Sequence, residues 1–259
     1  MVELRMLAAV GNTAEVERDG GNSRVARPNR EGFDIDIDMD FARLEAERVR
    51  DMLVALRRRH DLSRFEYTNI VRVVPGGETF SHPVLTLGNR FAETEDLLLS
   101  TYLHEQMHWY LWYLDTPERD PVAPFFDQLV KRYPDAPTDL PDGARSYEST
   151  YLHLVINWLE IAATSEFIGR SRACAIADAQ RSYRWIYRTV LRDWDMLGEL
   201  YERHGLVPIR PAAALRKEND KAVRRAASAG SRKSSSAKRR RAAPRSRRKP
   251  PARGGRKTG

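Results

Sequence analysis

Apolar residues recur at helical spacing in four stretches of the chain, and each stretch predicts a helix. Residues 40–60 are apolar on one face only, which indicates an amphipathic surface helix with Asp40 as its N-cap. Residues 93–115 and 151–168 are apolar on nearly every side and contain no Gly or Pro, so both predict buried helices. Residues 173–203 repeat large aliphatic and aromatic side chains and predict one long closing helix.

Two short segments ahead of the second helix predict strands. Residues 65–74 are rich in β-branched and aromatic residues, and residues 83–88 form a second, shorter segment of this kind. Residues 115–142 are rich in proline and acids and predict a long, partly ordered loop that shapes access to a neighbouring cleft. Together these patterns predict an α+β fold that is mostly helical, with a small β-sheet preceding the second helix.

Both ends of the chain lack the pattern of a folded domain. Residues 1–32 are polar and predict a poorly ordered segment, so the domain is expected to span residues 33–210. The remaining residues 211–259 predict a disordered tail, because residues 221–259 contain 16 Lys and Arg, no Asp or Glu, and Val223 as their only large aliphatic side chain. The whole chain carries +8, so the remainder carries 8 − 16 = −8.

A basic tail on an acidic body predicts binding to nucleic acid, DNA or RNA, or to another polyanion through counterion release. The alternatives are a solubilising appendage and a tail that folds back onto its own acidic body. No segment reaches the length of a membrane span, and the run Met6 to Val10 is too short for the apolar core of a signal peptide. With Cys174 as the single cysteine, we expect a cytoplasmic location without membrane association. Because of the basic tail, association with the nucleoid is a further option.

The pentapeptide His104-Glu105-Gln106-Met107-His108 lies in the middle of the second helix pattern. Histidines four residues apart lie one turn apart on one helix face, where two imidazoles reach a single metal ion. Glu105 then lies beside the metal and accepts a proton from a bound water. The spacing therefore predicts a Zn²⁺ site with its own general base, and the alternative is a pair of core histidines beside a surface glutamate.

A third metal ligand is expected from the helix over residues 151–168. Its polar residues His153, Asn157, Glu160 and Thr164 fall on one stripe of an otherwise apolar helix, and such a stripe is costly unless something satisfies it. We expect Glu160 as the third ligand, with His153 as the competing one, since about 10 Å of helical rise separates the two. Otherwise His153 lines the cleft or stabilises an oxyanion. The alternative is an internal hydrogen-bond ladder without metal.

These residues resemble the gluzincin group of zinc metallopeptidases, in which an HExxH helix supplies two histidines and a later helix supplies a glutamate. Here the match is His104, Glu105, His108 and Glu160, while Asn157 and Thr164 depart from the thermolysin-type pattern around that glutamate. The resemblance implies a zincin-like domain whose strand before the helix binds an extended peptide by strand addition. An ordinary edge strand is the alternative for that feature.

The expected activity is hydrolysis of peptide bonds by a metal-activated water, with Glu105 as general base and a peptide or protein as substrate. His153 or a tyrosine of the closing helix, Tyr187 or Tyr183, is expected to stabilise the oxyanion, although an aromatic stripe of that kind is more often core. Two alternatives remain: a nucleic-acid-associated binding protein with a structural or vestigial metal site, and a hydrolase acting on something other than peptide.

Overall fold

The structure, a computed structural model, describes residues 34–37 through their backbone, and residues 43–116 and 120–218. Most of these residues are helical, and a three-stranded parallel sheet with the order β1-β2-β3 completes the fold. The strands are β1 Asp34–Ile37, β2 Ile70–Val74 and β3 Leu85–Gly88; the helices are α1 Arg43–Arg59, α2 Glu95–Leu114, α3 Ala123–Arg132, α4 Tyr147–Ile168, α5 Arg170–Asp178, α6 Arg184–Arg192 and α7 Trp194–Arg203. The predicted α+β class, mostly helical with a small sheet ahead of α2 in the chain, is confirmed.

Two long helices, α2 and α4, form the centre of the molecule. Each is apolar all round and buried along most of its length, as the sequence pattern predicts. Each also begins with a side-chain cap: Thr94 Oγ1 accepts from the Leu97 amide, and Ser146 Oγ accepts from the Ser149 amide. The α4 helix ends at Gly169, whose φ of 82° is the left-handed conformation that glycine adopts without strain.

Polar side chains on α2 attach this helix to the chain around the sheet. Gln106, in the middle of the pentapeptide, is fully buried; its amide donates to the Thr68 carbonyl and its oxygen accepts from the Thr68 amide, both at 3.0 Å. One turn further on, Trp109 Nε1 donates to the Ser81 carbonyl at 2.8 Å. These bonds fix the rotation of α2 about its axis, and therefore the direction in which His104 and His108 point.

The structure differs from the sequence prediction in several elements. Two were not predicted: β1, and α3 inside the supposed loop of residues 115–142. The closing helix is three helices, because a turn separates α5 from α6 at the left-handed Tyr183 (φ 57°) and a bend at Asp193 separates α6 from α7. The first helix is described from Arg43 onward, and its predicted N-cap Asp40 lies outside the described residues.

The last described residues belong to the folded unit. Ala212 and Leu215 are buried, and the compact unit extends to Arg216, past the predicted boundary at residue 210. The predicted N-terminal segment, residues 1–32, and residues 221–259 of the tail lie outside the described residues. Within the described ranges, no helix combines the length and the apolar character needed to cross a membrane.

The expected peptide-binding edge of the sheet is covered by the chain itself at β3. The Thr86 amide donates to the Phe80 carbonyl at 2.8 Å, and the Phe80 amide donates to the Thr86 carbonyl at 3.0 Å. The Gly88 amide donates to Thr79 Oγ1 at 3.0 Å. Because these backbone groups are already bonded, β3 does not offer a row of free donors and acceptors to a peptide.

Candidate metal centre

Three histidines converge between α2 and α4. The helices run antiparallel. Ser100 of α2 contacts Glu160 of α4, and His108, two turns further along α2, contacts His153, which precedes Glu160 on α4. The ring centroids of His104 and His108 lie 5.2 Å apart, and that of His153 lies 5.5 Å from His104 and 5.2 Å from His108. One nitrogen from each ring lies within 4.8 Å of the others.

The donor set fits a divalent cation of the zinc type. Imidazole nitrogens bind zinc at about 2.0–2.1 Å, so three of them around a tetrahedral ion lie about 3.3 Å apart. The three nitrogens lie within 4.8 Å of one another, and rotations of the rings would bring them to that spacing. Three protein ligands also leave one position of a tetrahedral ion open, which is the arrangement of catalytic rather than structural sites.

The hydrogen bonds of His104 and His153 leave Nε2 of each ring facing the group. His153 Nδ1 lies 2.7 Å from the Ser149 carbonyl oxygen, which can only accept, so this nitrogen carries the proton. His104 Nδ1 lies 3.0 Å from Glu160 Oε2 and donates to it in the same way. In both rings the lone pair therefore resides on Nε2, and a partner on the far side of the ring fixes that tautomer.

Glu160 is placed behind His104 rather than in the ligand group, which differs from the expectation that it is the third ligand. Its carboxylate is fully buried and accepts from Ser100 Oγ, from the His104 ring and, at 2.7 Å, from the Tyr187 hydroxyl. His153, the competing candidate, is the residue that joins His104 and His108. The reason is helical rise: with the helices antiparallel, Glu160 lies level with Ser100 and His153 lies level with His108.

The remaining polar residues of α4 either lack hydrogen-bond partners among the described residues or lie outside the centre. Asn157 is fully buried, and neither its oxygen nor its nitrogen has a partner among the described residues; the same holds for the Thr164 hydroxyl. Glu166, which lies off the stripe, forms a surface ion pair with Arg64 at 2.9 Å and takes no part in the centre. Of the predicted polar stripe, His153 and Glu160 therefore have hydrogen-bond partners, whereas the side chains of Asn157 and Thr164 have none among the described residues.

Burial and the neighbouring rings determine the protonation of the histidines. Burial first, and then the proximity of His104, lowers the pKa of His153 to about 3; burial likewise lowers the pKa of His108 well below its ordinary value. Burial also acts to lower the pKa of His104, but the hydrogen bond and charge of Glu160, with the charge of Glu105, outweigh it and raise that pKa. His108 and His153 are therefore neutral at pH 7, the form in which imidazole binds a metal.

Glu105 lies beside the three histidines and faces a cavity. Its side chain is only 6% exposed, and burial, reinforced by the charge of Glu160 and opposed by His104, raises its pKa to about 7. A carboxyl group whose pKa lies near neutral pH is well suited to accept a proton and return it. Glu105, the residue predicted as general base, thus lies next to His104 on the wall of this cavity.

The cavity next to His104 and Glu105 has a volume of about 160 Å³. Tyr183 and Tyr187, the two tyrosines considered from the sequence, both line it. The Tyr187 hydroxyl, considered as an oxyanion donor, donates to Glu160 at 2.7 Å. The Tyr183 hydroxyl has no hydrogen-bond partner among the described residues; its ring lies 4.5 Å from that of His153, and burial raises its pKa to about 12.

Two residues of the cavity wall, Arg90 and Arg145, were missed by sequence reasoning. Arg145 directly precedes Ser146, the N-cap of α4, and has a left-handed backbone with φ 70°. Like Tyr183, it is one of the two non-glycine residues with positive φ in the described part of the chain, and both line this cavity. Such strain is concentrated at functional sites. Neither arginine belongs to a motif, so the sequence offered no signal for them.

Comparisons of this chain with models of protein families, with curated proteins and with solved structures found no match.

Proposed function

We propose that this protein is a metal-dependent hydrolase that cleaves amide bonds of peptides or proteins, with Zn²⁺ as its metal. The single observation that carries the proposal is the convergence of His104, His108 and His153 on one point, with Glu105 beside them at a cavity. Three imidazoles, of which His108 and His153 are neutral at pH 7, leave room for a further ligand and suit zinc best among the common divalent cations. A zinc ion held there would polarise the scissile carbonyl and lower the pKa of a coordinated water.

Other residues around the metal carry out the remaining steps of the proposed reaction. Glu105 takes the proton from the attacking water and gives it to the leaving amine, a transfer for which a pKa of about 7 is suited. Tyr183, on the cavity wall, has no hydroxyl partner in the part of the chain that the structure describes and donates a hydrogen bond to the developing oxyanion. Glu160 and Tyr187 act as positioning residues, because they fix the ring and the tautomer of His104.

The resemblance to gluzincins extends, on this proposal, to the HExxH helix and the general base, while His153 replaces the downstream glutamate as third ligand. Ligands held on two packed helices support a preformed centre, since His104 and His153 are each less than 10% exposed and His108 is partly buried. A closed structural site is the competing interpretation. The position of Glu105 on the cavity wall supports the catalytic one.

The test is a comparison of metal content and peptide hydrolysis in the purified protein, with fluorescein-labelled casein and a fluorogenic peptide library as substrates. We expect about one zinc per chain by elemental analysis, and Glu105→Gln is expected to retain the metal while losing at least about a hundredfold in rate. Glu199→Gln, an exposed site on α7, is the matched control and leaves the rate unchanged. Wild-type rates in the Glu105 variant would refute the assigned mechanism, and a metal-loaded but inactive wild type would favour the structural site.

A separate proposal concerns residues 221–259, which we propose bind nucleic acid or another polyanion through phosphate contacts. The support is the charge pattern alone: 16 cationic side chains, no acidic ones and no aromatic residue for base stacking. The full chain and a form ending at residue 220 are compared by titration of double-stranded DNA and of RNA at increasing salt. We expect steeply salt-dependent binding by the full chain only, and equal, salt-insensitive binding by both forms would contradict the proposal.

A further inference from the structure

The cavity beside the candidate metal centre has a cationic side. Arg90 and Arg145 both line it, together with His104, Glu105 and Glu78. Arg145 donates to Glu78 at 3.1 Å, in an ion pair that is mostly exposed on both sides. The Arg90 guanidinium, by contrast, has no acceptor among the described residues, although it lies next to the space that a substrate would occupy.

The backbone fixes the positions of both arginines. Arg90 lies in the short 3-10 helix Asn89–Phe91 that directly follows β3, and Asn89 is held there because its side-chain oxygen accepts from the Gly76 amide at 3.0 Å. The Arg145 amide donates to the Thr138 carbonyl at 2.7 Å and keeps this residue in its left-handed conformation. The chain entering α2 and the chain entering α4 therefore fix the backbone of both arginines at the wall of the cavity, while both residues are exposed.

The cavity has an acidic group, Glu105, next to the histidines and a cationic group, Arg90, at another part of its wall. Glu105 is the acidic group next to the histidines, where a carboxylate of the substrate would be repelled. Arg90 offers a planar guanidinium that is unpaired among the described residues, and this group matches a carboxylate through two parallel hydrogen bonds. A substrate with one carboxylate would therefore bind in a single orientation, with that group on Arg90 and a neutral amide at the centre.

We propose that the substrate of this centre carries a carboxylate that binds to Arg90, with Arg145 beside it, next to the bond that is cleaved. This inference rests on the proposed hydrolase function and adds the substrate class. The carboxylate is either the C-terminal group of a peptide or the side chain of an aspartate or glutamate, since both present the same two oxygens. The first source would make the protein a carboxypeptidase and the second an endopeptidase for acidic sites.

The probes are three peptide hydroxamates with one backbone, which bind a zinc ion without being cleaved. The first ends in a free carboxylate, the second ends in an amide, and the third ends in an amide but carries a glutamate side chain. Binding to the zinc-loaded full chain is measured by calorimetry, with Arg90→Ala as the test variant. Arg58→Ala, an exposed arginine on α1 that does not line the cavity, is the matched control.

We expect one of the two carboxylate probes to bind about tenfold more tightly than the neutral one, as for one partly exposed charge-assisted hydrogen bond. The Arg90 variant should lose this preference and bind the neutral probe as before, whereas the Arg58 variant should keep it. Preference for the first probe identifies a chain terminus, and preference for the third an acidic side chain. Equal binding of all three, or a preference that survives Arg90→Ala, overturns the inference.

The same experiment separates this inference from the function on which it rests. If none of the three hydroxamates binds to the zinc-loaded protein, the metal centre itself is refuted, and the carboxylate site with it. If the neutral hydroxamate binds and the carboxylates add nothing, the metal centre stands and only the role of Arg90 is overturned.

Discussion

The placement of Glu160 and His153 gives opposite predictions for two substitutions on the same helix. If His153 is the third ligand and Glu160 supports His104, then His153→Ala weakens zinc binding more than Glu160→Gln does. If Glu160 were the ligand, the order would be reversed. The two residues lie on one face of α4, both are buried, and both contact His104, so only their effects on metal affinity separate them.

The magnitudes follow from the contacts of each side chain. Glu160→Gln keeps an acceptor oxygen for Tyr187 or Ser100 but removes the negative charge that His104 Nδ1 faces at 3.0 Å. Loss of such a supporting carboxylate typically costs about 10- to 100-fold in metal affinity. A four-ligand zinc site binds with about 10–16 kcal/mol, or about 2.5–4 kcal/mol per ligand, so His153→Ala should cost about 70- to 900-fold.

The assay is a competition titration of zinc against a chromophoric chelator at fixed pH and ionic strength. Glu148→Gln, an exposed position in the first turn of α4, serves as the control and should bind zinc as the wild type does. Circular dichroism of each metal-free variant shows whether the fold is retained. A weaker effect of His153→Ala than of Glu160→Gln, with both variants folded, would refute the ligand set proposed here.

Three further predictions test the surroundings of the centre and the core. Tyr187→Phe removes one hydrogen bond to Glu160 and should lower zinc affinity by less than about tenfold in the same titration, whereas a loss as large as that of Glu160→Gln would contradict its supporting role. Burial lowers the pKa of His82 below the ordinary 6.5, so the unfolded chain takes up this proton first and stability falls as the pH drops from 6.5 through the folded pKa. His82→Phe should therefore flatten the loss of stability below pH 6.5 in urea titrations followed by fluorescence, and an unchanged slope would contradict this. Leu99→Ala should cost about 2–5 kcal/mol of unfolding free energy, because Leu99 is fully buried, while Leu44→Ala, at a position 82% exposed, should change it by less than about 0.5 kcal/mol.

The long buried helices and the pentapeptide were readable from the sequence because their signals are local. Helical spacing, capping residues and the four-residue step between His104 and His108 are properties of neighbouring residues along one stretch of chain. The polar stripe on α4 was visible for the same reason: an apolar helix with His153 and Glu160 on one face requires partners. The sequence therefore indicated both helices of the centre and most of its residues.

Breaks and short elements were harder to predict, since their signals are weak or depend on packing. The closing helix was predicted as one element, because the aromatic spacing continues through the left-handed Tyr183 without a glycine or proline to mark the turn. Strand β1 is only four residues long and was missed. The α3 helix was hidden in a proline-rich segment, although one of those prolines stands within its first two positions, where proline is favoured.

The sequence by itself determined that two apolar helices carry histidines and carboxylates, and that a cationic segment follows an acidic body. The tertiary structure decided which of these groups meet. The antiparallel pairing of α2 and α4 sets His153 level with His108 and Glu160 level with Ser100, and thereby assigns one to the ligand group and the other to the support of His104. The chain entering α2 and the chain entering α4 likewise bring Arg90 and Arg145 to one cavity. Local sequence fixes the helix face on which a residue lies, but only packing fixes which residues of two neighbouring helices lie level with each other along their axes.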